Sequence, residues 1–259
     1  MKYKYAIIIT IITCALCIIY GTKFYNYYSP AKERSIYHTT QHNDNRIRIA
    51  YIGDSWAFGH HYHECEIANL LSSKLLKPVI VSSYGIGGLT SKEIYHALFE
   101  IDNLKQFMEE GYDFCYISAG INDTNKKMST KYYTESMDCI IKFMLENNIH
   151  PIIQEIPDYN ITKAYEHQKT KMKLIRRLSM LINNTSIDCK QDFRNALDKL
   201  IEDRKYLGKV SIIRYKSWNN NYEKGLKELY LNDQMHLNEK GYSVLDSVIS
   251  EEISKIAFQ

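Results

Sequence analysis

Five short runs rich in Ile, Val and Tyr alternate along this chain with longer stretches whose apolar residues recur every three or four positions. The runs are 46–52 (RIRIAYI), 78–82 (PVIVS), 112–119 (YDFCYISA), 150–156 (HPIIQEI) and 209–215 (KVSIIRY), each of strand length and bounded by turn residues. Between the first two, helical spacing runs from about Glu64 to Leu76. After the second, Thr90-Ser91-Lys92-Glu93 reads as a capping box, followed by Ile94, Leu98, Ile101, Leu104 and Met108 on one helical face. A further helix is predicted through Met144, another between Gln191 and Arg204, and a last one with the stripe Tyr242, Leu245, Ile249, Ile253 and Ile256. Strands that alternate with helices in this way predict a parallel, doubly wound sheet covered on both faces. About 210 residues make this one domain with a substantial core.

A different segment precedes it. Residues 6–19 (AIIITIITCALCII) are uncharged, follow Lys2 and Lys4, and are flanked by tyrosines on both sides, as suits membrane interfaces. The only small-x-small pattern, Ala15-Leu16-Cys17, lies inside the apolar run, so residues 1–22 read as an uncleaved signal anchor, with signal cleavage and secretion as the alternative. Residues 23–45 read as a polar linker to a domain over 46–259. The expected location is the inner membrane, single-pass, with the domain on the exported side.

Charge narrows the partners. Five Lys or Arg and two acids fall in residues 1–45, which leaves 28 of each sign beyond. Such a balance marks no nucleic-acid surface and suits a neutral substrate. Of the six cysteines, two lie in the apolar segment and Cys115 lies in a predicted strand, where a buried thiol is expected. His60, His61 and His63 crowd within four residues without a paired carboxylate motif, so no metal is expected there.

Four motifs carry the candidate chemistry. Gly53-Asp54-Ser55 ends the first strand, which puts the Ser55 hydroxyl at the sheet edge where open α/β folds bind ligands. Gly85-Ile86-Gly87-Gly88 closes the second strand ahead of the capped helix and presents free N–H groups, which can stabilise an oxyanion. Gly120-Ile121-Asn122-Asp123 follows the third strand, where the Asn122 amide can donate without carrying charge. Asp233-Gln234-Met235-His236 supplies a base for the serine and a carboxylate to orient it. Trp56 and Phe58, with His60, His61 and His63 near them, would shape the cleft beside the serine, and the aromatic faces would suit a sugar ring or flat acyl group.

In these four motifs the chain resembles the SGNH hydrolase superfamily, the GDSL-type esterases and lipases, over residues 46 to 256. The resemblance implies a flavodoxin-like three-layer α/β sandwich with a parallel sheet of about five strands, here preceded by the N-terminal transmembrane helix. It implies Ser55 as nucleophile, His236 as base and Asp233 as its orienting acid. The oxyanion hole would comprise the N–H of Ser55, the N–H of Gly88 and the amide of Asn122; Gly88 is preferred to Gly87 because it lies two residues before Thr90. Trp56 departs from the family's Gly-Asp-Ser-Leu, and Gln234 stands where a glycine is common. The activity implied is cofactor-free hydrolysis of carboxylic esters, acetyl esters of carbohydrate being the favoured substrate. An O-acyltransferase acting on a glycan hydroxyl is the alternative, and an inactive glycan-binding protein is the alternative of another class.

Overall fold

The five apolar runs pair as parallel strands: the first, third and fourth are buried along most of their length and sit in the middle of the sheet, while the second and fifth are partly exposed and form its edges. The computed structural model describes residues 2–100 and 102–258. Helix α1 (Lys2–Tyr28) leads into β1 (Ile47–Gly53), α2 (Ser55–His60), α3 (Glu64–Leu75) and β2 (Val79–Gly85). Then come α4 (Ser91–Glu100), α5 (Asp102–Glu109), β3 (Phe114–Ser118), α6 (Ile121–Lys126), α7 (Thr130–Glu146) and β4 (His150–Gln154). Helices α8 (Ile161–Glu166), α9 (Thr170–Asn183) and α10 (Lys190–Asp203) precede β5 (Ser211–Ile213), and α11 (Tyr215–Trp218), α12 (Tyr222–Glu228) and α13 (Glu239–Ala257) complete the chain. All five predicted strands and the predicted helices are present. The capped helix is described as α4 and α5 on either side of Ile101, which lies outside the described residues.

The sheet order is β2-β1-β3-β4-β5, all parallel; the parallel doubly wound sheet is as the alternation of elements predicts, and its order is the flavodoxin-like one that the family resemblance implies. Connections that leave β1 toward β2 and then turn back to β3 put their helices on opposite faces when each crossover is right-handed. Accordingly α3 packs with α13, while α4 and α10 pack on α7. The reversal between β1 and β3 opens a crevice at their C-terminal ends. Register makes that crevice functional: Gly53 pairs with Gly85 on one side and Ser118 on the other, so three strands end level. Gly53 has φ +144° and a Cβ there would lie 2.0 Å from the Ser118 carbonyl oxygen, so only glycine lets β1 end this close to β3.

Two features differ from the sequence expectation. Helix α1 runs to Tyr28, six residues past the predicted anchor, and its segment Ile7–Tyr28 is long and apolar enough to cross a membrane. Residues 29–45 are a strap held against the domain rather than a free tether. The Arg34 N–H donates to the Tyr95 hydroxyl at 3.0 Å, the Thr39 N–H to Asn147 Oδ1 at 2.8 Å, and the Thr40 N–H to the Glu109 carbonyl at 3.0 Å. The Tyr37 ring lies between Phe99 and Phe143, and Ala31 is buried. Composition counts the polar residues of this strap correctly but is blind to the carbonyls and rings on the domain that receive it.

Candidate active site

Asp54 begins the site. It caps α2 by accepting the Trp56 N–H at 3.0 Å, and it also accepts the Ser118 hydroxyl at 3.0 Å and an Asn122 amide N–H at 3.4 Å. This one carboxyl therefore ties the turn after β1 to the end of β3 and the start of α6. Burial pushes its pKa up to about 6, against the hydrogen bonds from Trp56 and Ser118, which lower it.

Ser55 follows the cap as the first residue of α2. Its Oγ lies 2.9 Å from His236 Nε2, and His236 Nδ1 lies 2.6 Å from Asp233 Oδ2. The other oxygen of Asp233 accepts the N–H groups of Met235 and His236 at 2.9 and 3.0 Å. Partial desolvation raises the Asp233 carboxyl, but the hydrogen bonds from the His236 ring and these two N–H groups hold it below its usual value. Serine, histidine and aspartate, 181 and 3 residues apart in sequence, thus form one hydrogen-bonded line. Such a line can pass a proton from hydroxyl to imidazole while the carboxylate fixes the tautomer.

The loop that carries the histidine is clamped from α8. Gln234 has φ +60°, a left-handed conformation that glycine adopts more easily. Asn160 holds it there: the Asn160 N–H donates to the Gln234 carbonyl at 3.1 Å and its amide to Gln234 Oε1 at 2.8 Å. Asn160 was invisible to motif reading, because the contact spans 74 residues.

The glycine loop after β2 reaches the serine. A Cβ on Gly87 would lie 4.0 Å from the Ser55 Cβ, whereas none of the surroundings comes within 4 Å of one on Gly88. Gly88 has φ +82°, and the capping box beyond it forms as predicted, with the Thr90 N–H donating to Glu93 Oε2 at 2.8 Å. Asp123, next to Asn122, accepts the N–H and hydroxyl of Ser91 at 2.8 and 2.6 Å and joins the start of α4 to α6. Burial pushes Asp123 up to about 7, against those hydrogen bonds.

A pH prediction arises here. The folded chain holds the Asp123 proton up to about pH 7, whereas an unfolded aspartate releases it near pH 3.9. The stability this group contributes is therefore full below about pH 4 and is lost as pH rises to about 7, with more protons on the folded state throughout that window. Asp123→Asn removes the dependence, so the variant should gain on the parent by a few kcal/mol between pH 4.5 and 7.5. Urea midpoints at the two pH values measure it; equal differences would refute it.

The aromatic residues divide. Phe58 is 51 % exposed and Tyr62 is 76 % exposed, and both border an open cleft of about 1130 Å³ with Ser55, His63, Leu231 and His236. Trp56 corrects the sequence reading: its indole is fully buried, edge-on to Trp218 and Tyr230 at 6.0 and 6.3 Å, and offers no face to the cleft. The second position of a short helix that caps the sheet points inward, and the core takes the largest ring. The histidines also separate. His60 is fully buried with Nδ1 2.9 Å from Asp246, His61 meets Glu64, and His63 stacks on Tyr242. Of the three histidines expected beside the cleft, His63 lines it and His60 is buried away from it, while Tyr62 and Leu231 on the rim carry no motif by which sequence could have found them.

No family model and no curated protein matches the sequence. Solved structures do match. A GDSL-like lipase from Bacteroides thetaiotaomicron aligns over 80 % of this chain and 88 % of its own, with TM-score 0.54 and 17 % identity. A psychrotrophic esterase from Pseudoalteromonas, in a structure inhibited by monoethylphosphonate, aligns over 83 % of this chain and 100 % of its own, with TM-score 0.56 and 16 % identity. An acetyl-xylooligosaccharide esterase from Geobacillus aligns over 80 % and 94 %, with TM-score 0.55 and 16 % identity. With its strand order, its level strand ends and these alignments together, the chain has the fold of the SGNH hydrolases and GDSL-like lipases.

Proposed function

We propose that this chain is a member of that family in activity as well as fold, a membrane-anchored serine hydrolase of carboxylic esters. The observation that carries the reading is the unbroken line from Ser55 Oγ through His236 to Asp233 at the sheet's switch point. In this mechanism the Ser55 oxygen attacks the ester carbonyl carbon while His236 Nε2 takes its proton. His236 returns that proton to the leaving alcohol, and water then releases the acid by the same steps in reverse. The negative oxygen formed on attack would be met by the Ser55 N–H, a glycine N–H of the 85–88 loop, assigned to Gly88, and the Asn122 amide. Asn122 spends one N–H on Asp54, which leaves the second for the cleft.

The open cleft and the exposed rings of Phe58 and Tyr62 suit a flat or carbohydrate ester rather than a long acyl chain held in a tunnel. Acetyl esters of carbohydrate remain the favoured substrates. Helix α1 is read as the anchor, with the domain on the exported face of the inner membrane. The end of α1 is tied to the domain, since Lys92 Nζ donates to the Asn26 and Ser29 carbonyls at 2.5 and 2.8 Å.

The test is covalent trapping. The full chain in detergent, treated with an ethyl fluorophosphonate, should gain one phosphonyl group on the peptide that bears Ser55, with loss of p-nitrophenyl acetate turnover in proportion. Labelling elsewhere, or turnover that survives complete labelling, would refute the mechanism. Transfer of acetyl to an added sugar in place of acetate release would refute hydrolysis.

A further inference from the structure

Helix α9 turns its polar side inward and its apolar side outward. On the inner side Arg176 and Ser179 are buried; Arg176 Nη1 donates to the Lys126 carbonyl at 3.1 Å, and the Asn183 amide donates to the Lys127 carbonyl at 2.7 Å. On the outer side Leu174, Leu178, Leu181 and Ile182 are 59, 49, 79 and 55 % exposed. Their spacing, i, i+4, i+7 and i+8, places all four on one stripe. A surface helix of a soluble domain has the reverse arrangement, and a contiguous exposed apolar face marks a surface that meets something.

Charge and position identify the occupant. Lys169, Lys171, Lys173 and Arg177 surround the stripe, and no acidic residue occurs from His167 to Ile187. An all-basic border suits an anionic surface and repels a second copy of itself. The helix also sits at the mouth of the anchor, since the Tyr28 hydroxyl at the end of α1 hydrogen-bonds to the Ser179 hydroxyl on the inner side of α9.

We propose that α9 lies in the headgroup region of the bilayer that holds α1, its leucines and isoleucine among the upper acyl chains and its basic residues against anionic lipid phosphates. An amphipathic helix with Lys and Arg on its borders binds such a surface through buried apolar area plus charge. Together with the anchor it gives the domain two points of membrane attachment and hence a fixed orientation. The proposal rests on the reading of α1 as membrane-embedded and takes nothing from the esterase mechanism.

The experiment uses the full chain carrying Leu178→Trp, reconstituted in phosphatidylcholine vesicles with and without phosphatidylglycerol, with acyl chains plain or brominated. The native Trp56 and Trp218 are buried and form a constant background. The added emission should shift to the blue and be quenched by bromine, most strongly in anionic vesicles; Leu181→Trp should report the same. Lys171→Glu, Lys173→Glu and Arg177→Glu together should reverse this, each basic residue near an anionic surface being worth about fivefold in partition. Emission unaffected by brominated lipid, in a chain that carbonate does not extract, would overturn the proposal and leave the anchor intact. A blue shift without bromine quenching that grows with protein density would assign the stripe to a second copy and overturn it too. Release of the chain by carbonate would overturn the anchor reading, and this proposal with it.

Discussion

Ser55→Ala should lower kcat for ester hydrolysis by about five to six orders of magnitude, and His236→Ala should do nearly the same. In the proposed mechanism the two residues, 2.9 Å apart, share one proton transfer, so either loss removes the whole step. The double variant should therefore be no worse than the worse single one, a non-additivity that two independently acting residues would not show. What survives is stabilisation of the oxyanion, which does not depend on the nucleophile. The serine replacement should leave folding intact, because Asp54 rather than Ser55 caps α2 and Ser55 makes its side-chain contact with the histidine. Burst and steady-state kinetics with p-nitrophenyl acetate, beside a thermal melt, measure both halves. Retained turnover in either single variant, or losses that add, would refute the assignment of nucleophile and base.

Asp233→Asn should cost about four orders of magnitude in kcat with little change in KM. The carboxylate accepts the His236 ring N–H through one oxygen and two backbone N–H groups through the other. An asparagine keeps one oxygen for the backbone, so the loop should hold its shape. Its NH2 group then faces Nδ1, and the ring responds by moving its proton to Nε2, where it can no longer receive one from Ser55. Asp233→Ala removes the loop contacts as well and should add a rise in KM. A 15N chemical-shift measurement of the imidazole separates the cases: the asparagine variant should show the proton on Nε2, the parent on Nδ1. A parent-like tautomer with parent-like turnover would show that Asp233 only shapes the loop.

Most of the fold was legible because its determinants are local. Strand runs of five to eight residues, helices at 3.6-residue spacing and the Thr90–Glu93 box all report what a short segment must do, and βαβ alternation leaves few arrangements of the whole. Ser55, Gly88, Asn122, Asp233 and His236 were nameable as candidates for the same reason, since each belongs to a motif of three or four residues at a strand or helix end. Reading failed where one local pattern has two three-dimensional outcomes. Trp56 and Phe58 both follow the serine, two residues apart, yet one fills the core beneath α2 and the other borders the cleft. Residues 29–45 are polar enough to be a tether, yet their backbone finds partners more than sixty residues away.

By itself, then, the sequence determined the order of elements, the strand ends and the chemical groups that stand there, because hydrophobic period, turn residues and caps act over a few bonds. Only the tertiary structure decided which groups meet. Register brought Gly85, Gly53 and Ser118 level, folding closed 181 residues to put His236 on Ser55, and Asn160 fixed the unfavourable backbone of Gln234. Packing also decided that α9 would bury its arginine and serine and leave its leucines outside. Periodicity gives a helix two faces, and only its neighbours in space determine which of them faces the protein.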